Sequence, residues 1–128
     1  MSLTNAGRNF IAAAIMNSGP PTFFDASNAY IGSGDDNTAF AAAQTDLQAS
    51  SNKLRVGMDA TYPQLATNVL TFRASFSTSQ ANWHWQEWGI FNAASSGTML
   101  CRKVEDLGTK TSAQSWQITA TITVSIGS

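Results

Sequence analysis

The sequence predicts a mainly β fold, a β-sandwich or barrel-like domain with one short N-terminal helix. Three observations predict it. From Asn68 onward, apolar residues recur at every second position in run after run, the period of a half-buried strand. Clusters of Ser, Gly, Asn and Asp separate those runs at hairpin spacing. Only the N-terminus pairs a cap signal with a helix stop. At 128 residues the chain reads as one domain, residues 1–128, large enough to bury a core without metal or disulfide staples. Residues 1–18 are assigned to the helix and 29–126 to strands.

Taken in order, Thr4 or Asn5 can N-cap a helix through about Asn17, with Phe10, Ile11, Ala14 and Ile15 on one face. Ser18-Gly19-Pro20-Pro21 stops it, because glycine accepts the left-handed cap and proline cannot continue the ladder. The helix is expected to lie over one end of a sheet. Ala29-Tyr30-Ile31-Gly32 reads as the first strand, and Ser33-Gly34-Asp35-Asp36-Asn37 as a turn. The Ala- and Gln-rich Phe40–Ser51 is assigned a turn or two of helix from Thr45-Asp46. Lys53–Met58 follows as a short strand, then a loop through Tyr62-Pro63.

Asn68–Phe76 alternates with Leu70, Phe72, Ala74 and Phe76 inward, and Thr71, Arg73 and Ser75 outward. After a polar link comes Asn82–Asn92, which holds three of the four tryptophans and the only histidine. Trp83 and Trp85 share a face there, and strict period two puts Trp88 on the other. Gly89 can host a bulge that returns Ile90 or Phe91 to the core. Ala93–Gly97 is a hairpin into a strand over Thr98–Val104, and Leu107–Ala113 reads as an exposed loop. Gln114–Ile126 is the cleanest strand. Trp116, Ile118, Ala120, Ile122 and Val124 form its inner row, while Gln117, Thr119, Thr121 and Thr123 form an outer row that faces water or a neighbouring subunit. The strands number about six.

Charged residues make up 12% of the chain, about half the share usual in soluble domains. Ser, Thr, Asn, Gln and Ala replace them, and a polar but nearly uncharged surface loses little when buried against another subunit. The net charge of −1 leaves no footprint for nucleic acid. No stretch approaches a membrane span. Phe10–Met16 after Arg8 faintly echoes a signal peptide but lacks a convincing cleavage site, so the segment is expected to be retained, and the lone cysteine suits a chain made in the cytosol. The lone Cys101 has no intramolecular partner and, within Met99-Leu100-Cys101, reads as a small buried hydrophobe.

Residues that could carry chemistry do not form a constellation. His84 has no second histidine, nearby cysteine or nucleophile elbow, and Glu87 lies on the opposite face of its strand at that spacing. Asp35-Asp36-Asn37 lacks the rest of a calcium loop, and Gly32-Ser33-Gly34-Asp35 is too short for a phosphate loop. No carboxylate pair sits in a glycosidase motif. The expectation is a protein that is no enzyme, with no catalytic, cofactor-binding or metal residues and no cofactor. Trp83, Trp85 and Trp88 have two readings: core and interface filler, or an exposed platform for stacking sugars as in carbohydrate-binding modules. Alternation with Gln and Glu favours packing.

Three segments carry a resemblance: Leu3-Thr4-Asn5-Ala6-Gly7-Arg8, Tyr30-Ile31-Gly32-Ser33-Gly34-Asp35, and Glu87-Trp88-Gly89-Ile90-Phe91 with its hairpin at Gly97. Their types and order resemble the N-terminal domains of tail-collar fibres, among the small structural proteins of tailed bacteriophages. A collar fibre continues into a shaft and receptor-binding tip, whereas this sequence stops at Ser128. It therefore better resembles a capsid decoration, or cement, protein. The resemblance implies a virion protein, made in the bacterial host cytoplasm, that forms a homo-oligomer, commonly a trimer, and binds the major capsid protein. Nearly as well it implies a short tail, collar or baseplate component that binds other tail or collar proteins.

Overall fold

A computed structural model describes residues 1–19 and 22–126. Two antiparallel sheets pack face to face as an open sandwich, so the barrel alternative is set aside. The larger contains β1 (Ser2–Leu3), β7 (Met99–Thr109), β6 (His84–Phe91), β2 (Tyr30–Gly34) and β3 (Lys53–Gly57), in that spatial order. The smaller contains β4 (Gln64–Ala66), β5 (Val69–Phe76) and β8 (Trp116–Thr123). Among the described residues the single helix, α1, spans Asn5–Ile15. All six expected strands are present. β1 and β4 were not expected, being too short to show a period.

Thr4 starts α1 from extended backbone, its Oγ1 accepting the Gly7 N–H at 2.9 Å. The same hydroxyl donates to Met99 O at 2.5 Å, so the cap also ties the helix to the large sheet. Gly7 is buried there, and a Cβ on it would run into the Leu100 carbonyl. The helix ends two residues before the expected Asn17. Asn17 itself takes the left-handed position, at φ 50°, with its N–H on Ala14 O and the Ser18 N–H on Ala13 O. That is the six-to-one, five-to-two closure made with asparagine instead of glycine. The Pro20-Pro21 part of the expected stop lies outside the described residues.

The apolar face assigned to α1 needs correcting. Phe10 packs edge-on against Phe24 and Ala14 is half-buried, but Ile11 and Ile15 are exposed. Helical periodicity gives a face without saying what covers it. Here the sheet is met by the Thr4 and Gly7 side instead.

Phe40–Ser51 contains no helix. Its backbone donors are recruited by a distant side chain: the Gln48 and Ala49 N–H groups bind the Glu87 carboxylate, each at 2.8 Å. β2 runs two residues beyond Gly32, because Ser33 pairs with Trp88 and Gly34 with Glu87. Gly34 reads as a turn residue but is needed in the strand, since a side chain there would occupy the space of the Glu87 carboxylate. β7 continues past Val104 to Thr109, through residues assigned to a loop.

The β6–β7 register shifts twice: between Trp85 and Glu87, where two steps along β6 span four along β7, from Gly108 to Val104, and between Ile90 and Phe91, where one step spans two, from Cys101 to Met99. Trp85, Trp88 and Ile90 share one core across this irregular stretch, against the period-two expectation for Trp88. Gly89 is regularly paired with Gly32 and Arg102 and hosts no bulge. The main core joins these residues to Phe72, Ala74, Phe76 and Ala120, with Leu70, Trp116, Ile118 and Ile122 at its margin, so the inner rows of both long strands are as expected. Val124 is the exception, 68% exposed beyond the end of β8.

Candidate functional site

The most highly built polar arrangement lies on the large sheet's other face, away from the main core. Glu87 and Arg102 are both fully buried, with Arg102 Nε donating to Glu87 Oε1 at 2.8 Å. Besides the guanidinium, the carboxylate accepts the two loop N–H groups from Gln48 and Ala49. Arg102 Nη1 reaches Gln44 Oε1 at 3.1 Å. The Arg102–Glu87 bond joins β7 to β6, and the other three run between these strands and the loop that covers them. The arrangement is a clamp, sealed from solvent, and offers no approach to a substrate. Beside it, Phe91 and Met99 pack with Leu47 of the same loop. The loop is fastened a second time where Asp46 accepts Lys53 Nζ at 3.0 Å and Arg55 Nη2 at 3.1 Å. Burial opposes ionisation of Asp46, but the hydrogen bonds from Lys53, Arg55 and the Leu47 N–H, with the Arg55 charge, together outweigh it and lower its pKa.

His84 does not meet Glu87. Its Nε2 lies 2.7 Å from Asp106 Oδ1 at the exposed end of β6, with both side chains largely solvated. The His84 hydrogen bond, followed by the Gly108 N–H, lowers the Asp106 pKa. No nucleophile completes the pair. Asp35 accepts from the Asn52 side chain and Asp36 from the Thr38 N–H; the Thr38 hydroxyl, followed by that N–H, lowers the Asp36 pKa. Both are ordinary loop-closing bonds. Gly32 and Gly34 lie within β2 and form no phosphate-cradling loop. Cys101 is wholly buried, and burial pushes its thiol pKa up to about 12, so it is held neutral.

The tryptophans are divided between the core and its edge. Trp85 and Trp88 are buried, with indole N–H groups on Ala81 O and Glu105 Oε1. Trp83 is half-buried and donates to Ser33 Oγ. Trp85 meets Phe76 and Trp116 edge to face, at centroid distances of 4.8 and 5.1 Å. These geometries fill a core and leave no coplanar exposed platform.

The remaining candidates are surfaces. Gln117, Thr119, Thr121 and Thr123 are all exposed, as the outer row of β8 was expected to be. Beside them on β5, Arg73 Nε and Ser75 Oγ both donate to Asp59 Oδ2, at 3.0 and 2.9 Å. Charge on this face is thus internally neutralised.

Two buried cations were not singled out from the sequence: Arg102, and Lys110, whose Nζ donates to Ser77 O and Asn82 Oδ1. Arg102 left a readable signal, a cation directly after the apolar Met99-Leu100-Cys101, facing a strand whose one anion, Glu87, precedes Trp88. No protein-family model matches the chain, and no curated protein sequence matches it.

Proposed function

We propose that this protein is a non-enzymatic structural component of a tailed-bacteriophage virion, a head decoration protein that acts as a homo-oligomer. In this role it binds across joints between capsid subunits. Because it binds only the assembled shell, surface buried at those joints stabilises the shell by mass action, without chemistry.

One observation carries the reading. The three segments that resemble phage structural proteins, far apart in sequence, form a single mechanical unit. Thr4 ties α1 to Met99, Gly32 faces Gly89 across β2 and β6, and Gly34 makes room for the Glu87 carboxylate. The resemblance therefore falls on the residues that hold the scaffold together. The nearly uncharged outer row of β8 supports assembly.

A short tail or collar component is the second reading, favoured because these motif types are those of collar-fibre N-terminal domains. A carbohydrate-binding module has lost its support with the burial of Trp85 and Trp88. Quantitative mass spectrometry of purified virions separates head from tail. Copies in the hundreds, scaling with the major capsid protein, are expected. A single ring's worth would reject decoration in favour of the tail.

A further inference from the structure

β8 lies at the edge of the small sheet, and one bond beyond its ladder fixes which way its backbone groups point. The Val124 N–H donates to Asn68 O at 2.9 Å, in register with the Val69↔Thr123 pair. Along an antiparallel pair, residues that exchange bonds alternate with residues whose N–H and C=O point away. Trp116, Ile118, Ala120 and Ile122 therefore bond to β5, and Gln117, Thr119, Thr121 and Thr123 direct their backbone groups to the free edge. The Asp59 N–H to Arg73 O bond obeys the same parity across β5. Among the described residues, no strand pairs with the outer edge of β8.

Natural sheets protect such edges with short strands, lysine, proline, bulges or a covering segment. β1 and β4 are short, and β3 carries Lys53 and Arg55. β8 has eight residues and none of those sequence devices, with no charge or proline anywhere from Thr111 to Ile126. Its two ends differ in a complementary way. An open cleft lies at the start, lined by Trp85, Leu107, Ser115, Trp116, Gln117 and Ile118. Just beyond the other end, Val124 and Ile126 are 68% and 99% exposed.

We infer that β8 pairs with β8 of a second copy of this chain, antiparallel about a two-fold axis through Ala120, merging two small sheets into one continuous sheet. This register sets Gln117 opposite Thr123 and Thr119 opposite Thr121, so all four outward residues of both copies form bonded pairs. It also sets Trp116 opposite Val124, delivering each copy's exposed Val124 to the other's cleft. The uncharged strand meets itself without repulsion. A three-fold arrangement would need β8 to meet a different edge; among the described residues the other long free edge, β7 beyond its two residues paired with β1, is blunted by Lys103, Glu105 and Asp106. The inference rests on the homo-oligomer part of the proposed function and names its contact.

The test uses the full chain in light scattering after size exclusion, over a range of concentrations. Wild type is expected to have the mass of a dimer. Thr121→Pro and Thr121→Lys are expected to be monomers with unchanged far-UV circular dichroism, because the Thr121 N–H and side chain both point away from the fold. Mixing Thr119→Cys and Thr121→Cys chains should give disulfide-linked heterodimers on oxidation, since bonded pairs lie about 5.5 Å apart at Cα, within disulfide reach. Each variant alone should link poorly. A monomeric wild type overturns the proposal. So does an oligomer that both Thr121 variants leave intact, or linkage as strong in single-variant samples as in the mixture. If Thr121→Pro fails to fold, Thr121→Lys and the cross-link decide. An oligomer insensitive to β8 leaves the assembly reading standing, and virion copy number tests that reading separately.

Discussion

Replacing Glu87 with glutamine changes no volume, so its effect isolates the buried charge. In the native protein the carboxylate accepts Arg102 Nε, Gln48 N–H and Ala49 N–H, all at 2.8 Å and wholly out of water. Glutamine has one acceptor oxygen and a donor NH₂, so at least one donor would face another donor, and the Arg102 cation would lose its counter-charge. Breaking a buried pair by removing one partner costs about 3–5 kcal/mol. For a domain of this size that lowers the melting temperature by roughly 10–20 °C. It is also a large fraction of the roughly 5–15 kcal/mol that holds a typical domain folded. Urea unfolding, followed by tryptophan fluorescence and circular dichroism, measures the loss. Lys103→Gln is the control: it breaks the 3.2 Å Lys103–Glu105 pair, whose side chains are 41% and 38% exposed, and should cost under about 1 kcal/mol. Hydrogen exchange adds a local check, because the Gln48 and Ala49 amides should lose protection in Glu87→Gln before the strands do. A loss below about 1 kcal/mol for Glu87→Gln, or unchanged protection at those amides, would refute the clamp.

Gly7→Ala should destabilise by about 1–3 kcal/mol in urea unfolding despite alanine's higher helix propensity, because the new methyl meets the Leu100 carbonyl; a gain in stability would mean that α1 does not sit there. Trp85→Ala should cost about 3–5 kcal/mol, and half-buried Trp116→Ala clearly less; equal losses would contradict the assigned depths. Cys101 should resist thiol reagents at pH 8 until the protein unfolds. Its pKa is raised from 9.0 to about 12 by burial, so its contribution to stability is intact below pH 9 and lost as pH rises toward 12, where only the unfolded chain releases the proton. Cys101→Ala should flatten that part of the stability–pH curve, and identical slopes for both proteins would count against the burial.

Local chemistry and period two sufficed to place the six longer strands, the Thr4 cap and the inner rows of β5 and β8, since each depends on residues a few positions apart. The same signal kept Trp83–Trp88 from being read as a site, and the rings do lie in or beside the core. Three kinds of feature needed the tertiary structure. Phe40–Ser51 leans towards helix in isolation, but Glu87, about forty residues away, takes its amide donors, and no window of local sequence contains that competitor. Ser33-Gly34 has turn composition and forms strand because the neighbouring carboxylate requires a missing side chain. Ile11 and Ile15 have core-like periodicity and are exposed, because periodicity orders a face without providing a cover. The sequence alone thus determined a mainly β domain, sandwich or barrel-like, with a capped helix and a polar, uncharged outer row. Only the folded structure decided that Glu87 and Arg102 clamp a loop over the sheet and that β8 is left as a long, unprotected edge, because both depend on which distant strands become neighbours.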